Sequence, residues 1–298
     1  MPSQVQPDQS RALTSRENLE TEIIGKSRAI QQLRGRVCAL ADLRVPVLIR
    51  GESGTGRRHT ARALHRYSRG PRLDLVFVQS GTTRPPSVNP HKCFVLLDVD
   101  LQTPTEQARW ADLLSRAERE QPEAPGRVVA TASRSLLGLA HEEDFHPDLA
   151  ERLSRFNLDL PPLRERREDI APLAHALTDR AGVRLRGTGV RLTPGAIALL
   201  AAQTWPGNVQ ELSVAIDKLV AFCGESQITR SLVRSLLDEN PKGVASSRRL
   251  QVQQQREELT QLIRKTGGNL AEVARRLDMS RGGVIYRAQK FGLLPKRG

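Results

Sequence analysis

VPVLIRGESGTGRRHTARALH, residues 45–65, is the stretch that decides the fold. Residues 45–50 form a short apolar run of the kind that makes a buried strand. The run passes directly into Gly51–Gly56, and a helical sequence, ARALHRYS, follows from Ala61. Glycines between a strand and a helix let backbone N–H groups close around a phosphate, and the helix N-terminus adds positive potential there. The general motif next asks for Lys and then Ser or Thr, whereas this chain has Arg57 and Arg58. On this stretch alone, a phosphate cradle and an ordinary glycine-rich turn are equally good readings.

Working outward, four more short apolar runs read as strands: LDLVFVQS from Leu73, KCFVLLDVD from Lys92, GRVVATAS from Gly126 and FNLDLPPL from Phe156. Strands separated by helical stretches predict a parallel α/β sheet with its ligand at the carboxyl ends of the strands. From Arg167 the strands stop. REDIAPLAHALTDR, TPGAIALLAAQ and WPGNVQELSVAIDKLVAF read as helices, the second opened by Thr193 as N-cap and Pro194 in the first turn. Residues 240–249, NPKGVASSRR, read as a linker, and three further helices follow. The expected division is a disordered tail over 1–20, too short for a sensory domain, then an α/β nucleotide-binding subdomain over 21–165. A helical lid over 166–239, the linker over 240–249 and an all-α domain over 250–298 complete it.

Charge sharpens this division. The chain carries 46 Lys and Arg against 33 Asp and Glu, a net +13. From Lys242 onward, thirteen Lys or Arg face only four Asp or Glu, so most of the excess sits in the C-terminal segment. Charge concentrated in one small module points to a polyanionic partner, in the first place double-stranded DNA. Cys38, Cys93 and Cys223 are odd in number and far apart, so neither a disulfide framework nor a metal site is read from them. No apolar run has the length of a membrane span, and a cytoplasmic location is expected.

The residues around the glycine-rich loop resemble those of one family. GESGTGRRHTARALH is similar to the phosphate loop of sigma-54-dependent enhancer-binding regulators, which read GESGTGKE at this point. IIGKSRAIQQL (23–33) resembles the family's domain start and FVLLDVD (94–100) its strand ending in Asp-Glu. FHPDLAERLSRFNLDLPPLRERREDI (145–170) resembles its arginine-finger helix and PPLRER signature. RLTPGAIALLAAQTWPGNVQEL (191–212) resembles its helical lid with WPGNVREL. The resemblance extends over roughly residues 20–296. It implies a P-loop AAA+ domain with an α-helical lid, followed by a helix-turn-helix domain of the Fis type. It also implies a bacterial, ATP- or ADP-binding transcription regulator that uses magnesium and assembles into homo-oligomers. Its nucleotide-binding positions here are Gly51, Glu52, Ser53, Gly54, Thr55, Gly56, Arg57, Arg58 and Asp98.

The departures from the family pattern gather at the chemistry. The loop lysine is Arg57, which is positive but planar and bulkier. Asp98 matches the magnesium-associated aspartate, but the glutamate expected after it, which polarises the attacking water, is Val99. Asp100 is a poor substitute by register. A Thr-Asn pair after the fourth strand is Ala132-Ser133. The first arginine-finger position is His146, while the second, Arg152, is the candidate finger toward a neighbouring subunit. The lid arginine is Gln210. Finally, the family's long insertion with its GAFTGA loop, which contacts sigma-54, is missing: between Gln79 and Lys92 stands only SGTTRPPSVNPH. These losses lead to an expectation of no catalytic residues, at most ATP binding, and no hydrolysis-driven activation of sigma-54 polymerase. Two other readings stay open: a working ATP-dependent activator, and a non-catalytic subunit that modulates intact relatives.

In the C-terminal segment, LQVQQQREELTQLIRKT (250–266) is amphipathic. Gly267-Gly268-Asn269 ends that helix and caps the next, LAEVARRL. A tight turn then leads to RGGVIYRAQKFGLL, a basic second helix. This run resembles the Fis-type recognition helix, SRRTLYRKLKKLGL. The resemblance implies DNA contacts from Ser280, Arg281, Gly282, Gly283, Tyr286, Arg287 and Lys290, and a dimer formed through this domain. RNA polymerase or related regulators are the expected protein partners, with no membrane and no resident metal site.

Overall fold

The structure, a computed structural model, describes residues 19–68, 73–79, 92–120, 127–224, 226–238, 259–264, 266, 268–277, 281–290 and 293. Residues 1–18 of the tail expected over 1–20, the segment 80–91 and the linker 240–249 lie outside them.

Five parallel strands form one sheet in the order β2-β3-β4-β1-β5: β1 is Val47–Gly51, β2 Asp74–Val78, β3 Lys92–Leu96, β4 Arg127–Ala132 and β5 Asn157–Leu160. Period-two alternation sends side chains to opposite faces. Val47, Ile49, Cys93, Val95, Val129 and Leu158 join one core, against α1 (Arg28–Ala41) and α2 (Arg57–Arg66). Leu48, Phe94, Leu96, Val128 and Ala130 join the other, with α3 (Pro104–Glu120), α4 (Leu136–His141) and α5 (Pro147–Leu153). Burial on both faces is why the strands read as unbroken apolar runs. Leu19 is 1% exposed and belongs to the first core, so the domain reaches into the stretch expected as tail.

The lid is helical: α6 (Ile170–Arg186), α7 (Pro194–Ala201), α8 (Asn208–Phe222) and α9 (Arg230–Asp238) share a core around Trp205, Leu212, Ile216 and Leu219. Thr193 caps α7 by accepting from the Ala196 amide. The strands do not stop at Arg167, however. Two short ones, β6 (Arg191–Leu192) and β7 (Gln227–Ile228), pair in parallel within the lid. Two residues are too few to carry a periodic signal.

Two buried polar joints hold this framework. Arg127 is fully buried and donates from its two terminal nitrogens to the carbonyls of Ala41 and Leu40, both at 2.7 Å. It thereby caps the C-terminal end of α1, where a cation is favoured. Asp169, completely buried, accepts from the Lys26 and Ser27 amides and the Ser27 hydroxyl at 2.6–2.7 Å. That carboxylate ties the IIGKS start to the PPLRERREDI stretch.

The C-terminal module has its own small core of Leu259, Val273, Ala274, Val284 and Ala288. Residues 259–264 are helical, followed by α10 (Leu270–Arg276) and α11 (Arg281–Lys290). Among the described residues no helix is long and apolar enough to cross a membrane.

Candidate functional site: a phosphate-loop cleft and a basic helix

Gly51–Gly56 turns from β1 into α2 as expected, and the turn needs its glycines. Gly54 and Gly56 have φ of +79° and +110°, conformations that favour residues without a Cβ. A Cβ on Gly54 would also meet the Gly207 carbonyl oxygen at 2.2 Å. The lid therefore presses directly on the loop, and the Gln210 amide donates to the Gly54 carbonyl at 3.2 Å.

Glu52 is the hinge of this contact. Its carboxylate receives both terminal nitrogens of Arg164, at 2.7 and 2.8 Å. Asn208 donates to the Ser53 carbonyl at 2.9 Å and accepts from the Leu163 amide at 2.7 Å. Arg166 donates to the Thr55 carbonyl at 3.1 Å, and burial lowers its pKa against the pull of Asp169. The PPLRER and WPGN signatures thus fasten the loop and close the lid on it.

A cleft of about 610 Å³ lies between the loop, the carboxyl ends of the strands and the lid. Ile23, Ile24, Leu173, Leu177 and Val209 give it an apolar wall. Arg57, Arg58, Arg62, Arg166 and Arg180 give it a cationic one, with Glu22 and Asp98 the acidic residues along it. Arg58 and Arg62 lie over the Phe77 ring, 4.4 and 5.1 Å from its centroid. His59, in the same wall, has its pKa lowered first by burial, then by Arg180 and Arg62.

The loop arginine makes a contact that the sequence did not show. Arg57 Nη2 lies 2.7 Å from Asp98 Oδ1, with the arginine side chain only 11% exposed. Its Nη1 is buried without a hydrogen-bond partner. Asp98 adopts a left-handed conformation (φ 48°) and donates its amide to Thr131 Oγ1 at 2.9 Å. Such a backbone is uncommon outside glycine, though aspartate tolerates it better than most residues. The turn also decides where the next residues go. Val99 opens a 3-10 turn with no exposed surface and packs in the core beside Phe94 and Trp110. Asp100 accepts from the Ser133 amide and hydroxyl, at 3.2 and 2.6 Å, and does not line the cleft.

The two finger positions sit on α5. His146 is its N-cap, and Arg152 is paired with Asp148 one turn away at 2.9 Å. On α11, Arg281 and Gly282 are exposed, whereas Gly283 is buried. Arg281 and Gly282 thus lie on the exposed side of α11, while Gly283, Val284 and Ala288 are buried, the last two in the domain core. Ser280 lies outside the described residues, as do the side chains of Tyr286, Arg287 and Lys290. Gly268 (φ +85°) ends the preceding helix, and Asn269 caps α10 by accepting from the Glu272 amide.

Comparison with known proteins gives this geometry a family. The sequence profile "Sigma-54 interaction domain" matches residues 24–163, "AAA+ ATPase lid domain" residues 164–249, and "Bacterial regulatory protein, Fis family" residues 252–291. The chain belongs to the sigma-54 enhancer-binding regulators. It is 29% identical to the transcriptional regulatory protein ZraR of Klebsiella oxytoca, over 90% of this chain and 68% of that one. It is 30% identical to the Nif-specific regulatory protein of the same organism, over 95% of this chain and 61% of that one. The chain thus spans about two thirds of the length of these curated relatives. Among solved structures, NtrX of Brucella abortus, crystallised with ADP, superposes with a TM-score of 0.60 at 24% identity, covering 95% of this chain and 72% of that one. Domain III of the Thermotoga maritima replication initiation protein DnaA does so at 0.56 and 15%, covering 74% and 95%. At these identities the likeness concerns the fold.

Proposed function

We propose that this regulator binds double-stranded DNA through α11 as a dimer or higher oligomer, and that its AAA+ part holds a nucleotide without hydrolysing it to drive sigma-54 polymerase. The single observation that carries the reading is the Arg57–Asp98 ion pair, 2.7 Å long, at the mouth of the phosphate loop.

The cleft suits a nucleotide. It offers an apolar wall for a base and, at its other end, glycine amides and the N-terminus of α2 for phosphates. NtrX, which shares the fold, was crystallised with ADP and with ATP. The same residues do not fit a catalytic magnesium ion. The carboxylate that would hold it is taken by a guanidinium, Val99 is buried, and Asp100 is bound to Ser133. With Val99 in the core, no carboxylate stands at the position that orients the attacking water.

The connection between β2 and β3 supports the second half of the reading. These strands are parallel neighbours, and only thirteen residues, 79–91, join them in the sequence. The family's long insertion with its GAFTGA loop has no counterpart in that stretch of sequence.

Phosphate release from ATP, measured with and without DNA, tests the reading. The expected rate is background, and Arg57→Lys alone does not raise it, because Val99 is unchanged. Robust turnover that disappears in Asp98→Ala would refute it.

A further inference from the structure

We propose that the cleft takes its nucleoside di- or triphosphate without a divalent ion, the Arg57 guanidinium standing in the place of the metal. This deepens the preceding reading and rests on its claim that a nucleotide binds.

A divalent ion in a phosphate site bridges a protein carboxylate to phosphate oxygens, and magnesium demands six well-placed oxygens while giving up water reluctantly. Here the bridging position is filled by a side chain. Arg57 holds Asp98 with Nη2, while Nη1, buried and without a partner, is a donor in need of an acceptor. A guanidinium is planar and offers five N–H groups, so one arginine can hold a carboxylate along one edge and a phosphate along another. An incoming ion would have to share Asp98 with this guanidinium, and neither Val99 nor Asp100 lines the cleft to give it a second ligand. Among the described residues no group of three or more His, Cys, Asp or Glu side chains is placed to hold a metal.

Charge balance points the same way. A nucleotide stripped of its metal needs more cations from the protein. The wall supplies Arg58 and Arg62, set side by side over Phe77, and Arg180 from the lid. His59 stands in the same wall, near Arg180 and Arg62.

The test is a titration of the full chain with ADP and with ATP carrying a ribose-linked fluorophore, once in excess magnesium and once in excess EDTA. The two dissociation constants are expected to agree within about twofold for each nucleotide. Asp98→Asn, which removes the carboxylate a metal would need, is expected to keep the constants in magnesium and in EDTA within about twofold of each other. Arg57→Ala is expected to weaken binding about tenfold or more in EDTA, the loss of one charge-assisted hydrogen bond; a circular-dichroism melt checks that this variant is folded. Binding that needs magnesium, or that Asp98→Asn abolishes, overturns the proposal and leaves nucleotide binding standing. No binding of either nucleotide under either condition overturns both.

Discussion

At the residue scale, a single backbone turn sorts three neighbouring side chains into three fates. Asp98 faces the cleft and Arg57, Val99 enters the core, and Asp100 goes to Ser133. Restoring the family's glutamate therefore does not restore its chemistry. Val99→Glu would put a carboxylate among Phe94, Trp110 and Leu149, where an unpaired charge is costly. The expected loss is at least about 2 kcal/mol of unfolding free energy with no gain in phosphate release. Urea denaturation and the ATPase assay read the two halves. His59 makes a second prediction. Burial, then Arg180 and Arg62, hold its pKa below the ordinary 6.5, so the folded state favours the neutral ring. The unfolded chain takes up the proton more readily. Stability from this group is therefore full above pH 6.5 and declines as the pH falls through 6.5 toward the lowered folded value. Denaturation curves between pH 7.5 and 5.5 should show this decline, and His59→Gln should flatten it. His65, also depressed by burial, leaves a residual slope.

At the scale of elements, most of the architecture was legible in the sequence because each signal matched the period of its element. The five strands were readable as apolar runs since both sheet faces are covered, and the caps at Thr193 and Asn269 sit where their side chains suggested. What escaped was either too short or long-range. β6 and β7 have two residues each. The Arg57–Asp98 pair joins residues 41 positions apart, and nothing in either local stretch announces it, though an arginine in the loop and a lone aspartate at the strand end were both visible. Arg127 carries no local sign of its role in the run GRVVATAS, yet it is a buried cap for α1. Asp169 stands inside the PPLRERREDI stretch with nothing local to mark its role, yet it receives three hydrogen bonds from the Lys26–Ser27 turn. Asp169→Ala should therefore uncouple the domain start from the lid and cost about 3 kcal/mol or more. A thermal melt would show it as a large fall in midpoint. A change of under about 0.5 kcal/mol would mean that the joint matters little.

On the scale of the whole molecule, the two ends of the chain have separable tasks. On the proposed reading, the cleft and its lid hold a nucleotide and the exposed Arg281 and Gly282 of α11 face the DNA. An arginine at the start of a recognition helix can make a bidentate contact with guanine. Arg281→Ala should thus lose roughly 1–3 kcal/mol on a preferred duplex and blur the preference, as fluorescence anisotropy on specific and random duplexes would record. This task needs no ATP turnover, whereas activating sigma-54 polymerase does. The most direct measurement places both on one template: the protein's binding site upstream of a sigma-54 promoter, with footprinting and transcript synthesis followed in the same reaction with sigma-54 holoenzyme and ATP. The account predicts a protected site with transcripts no higher than in the absence of the protein. ATP-dependent transcripts above that level, lost in Arg281→Ala, would contradict it.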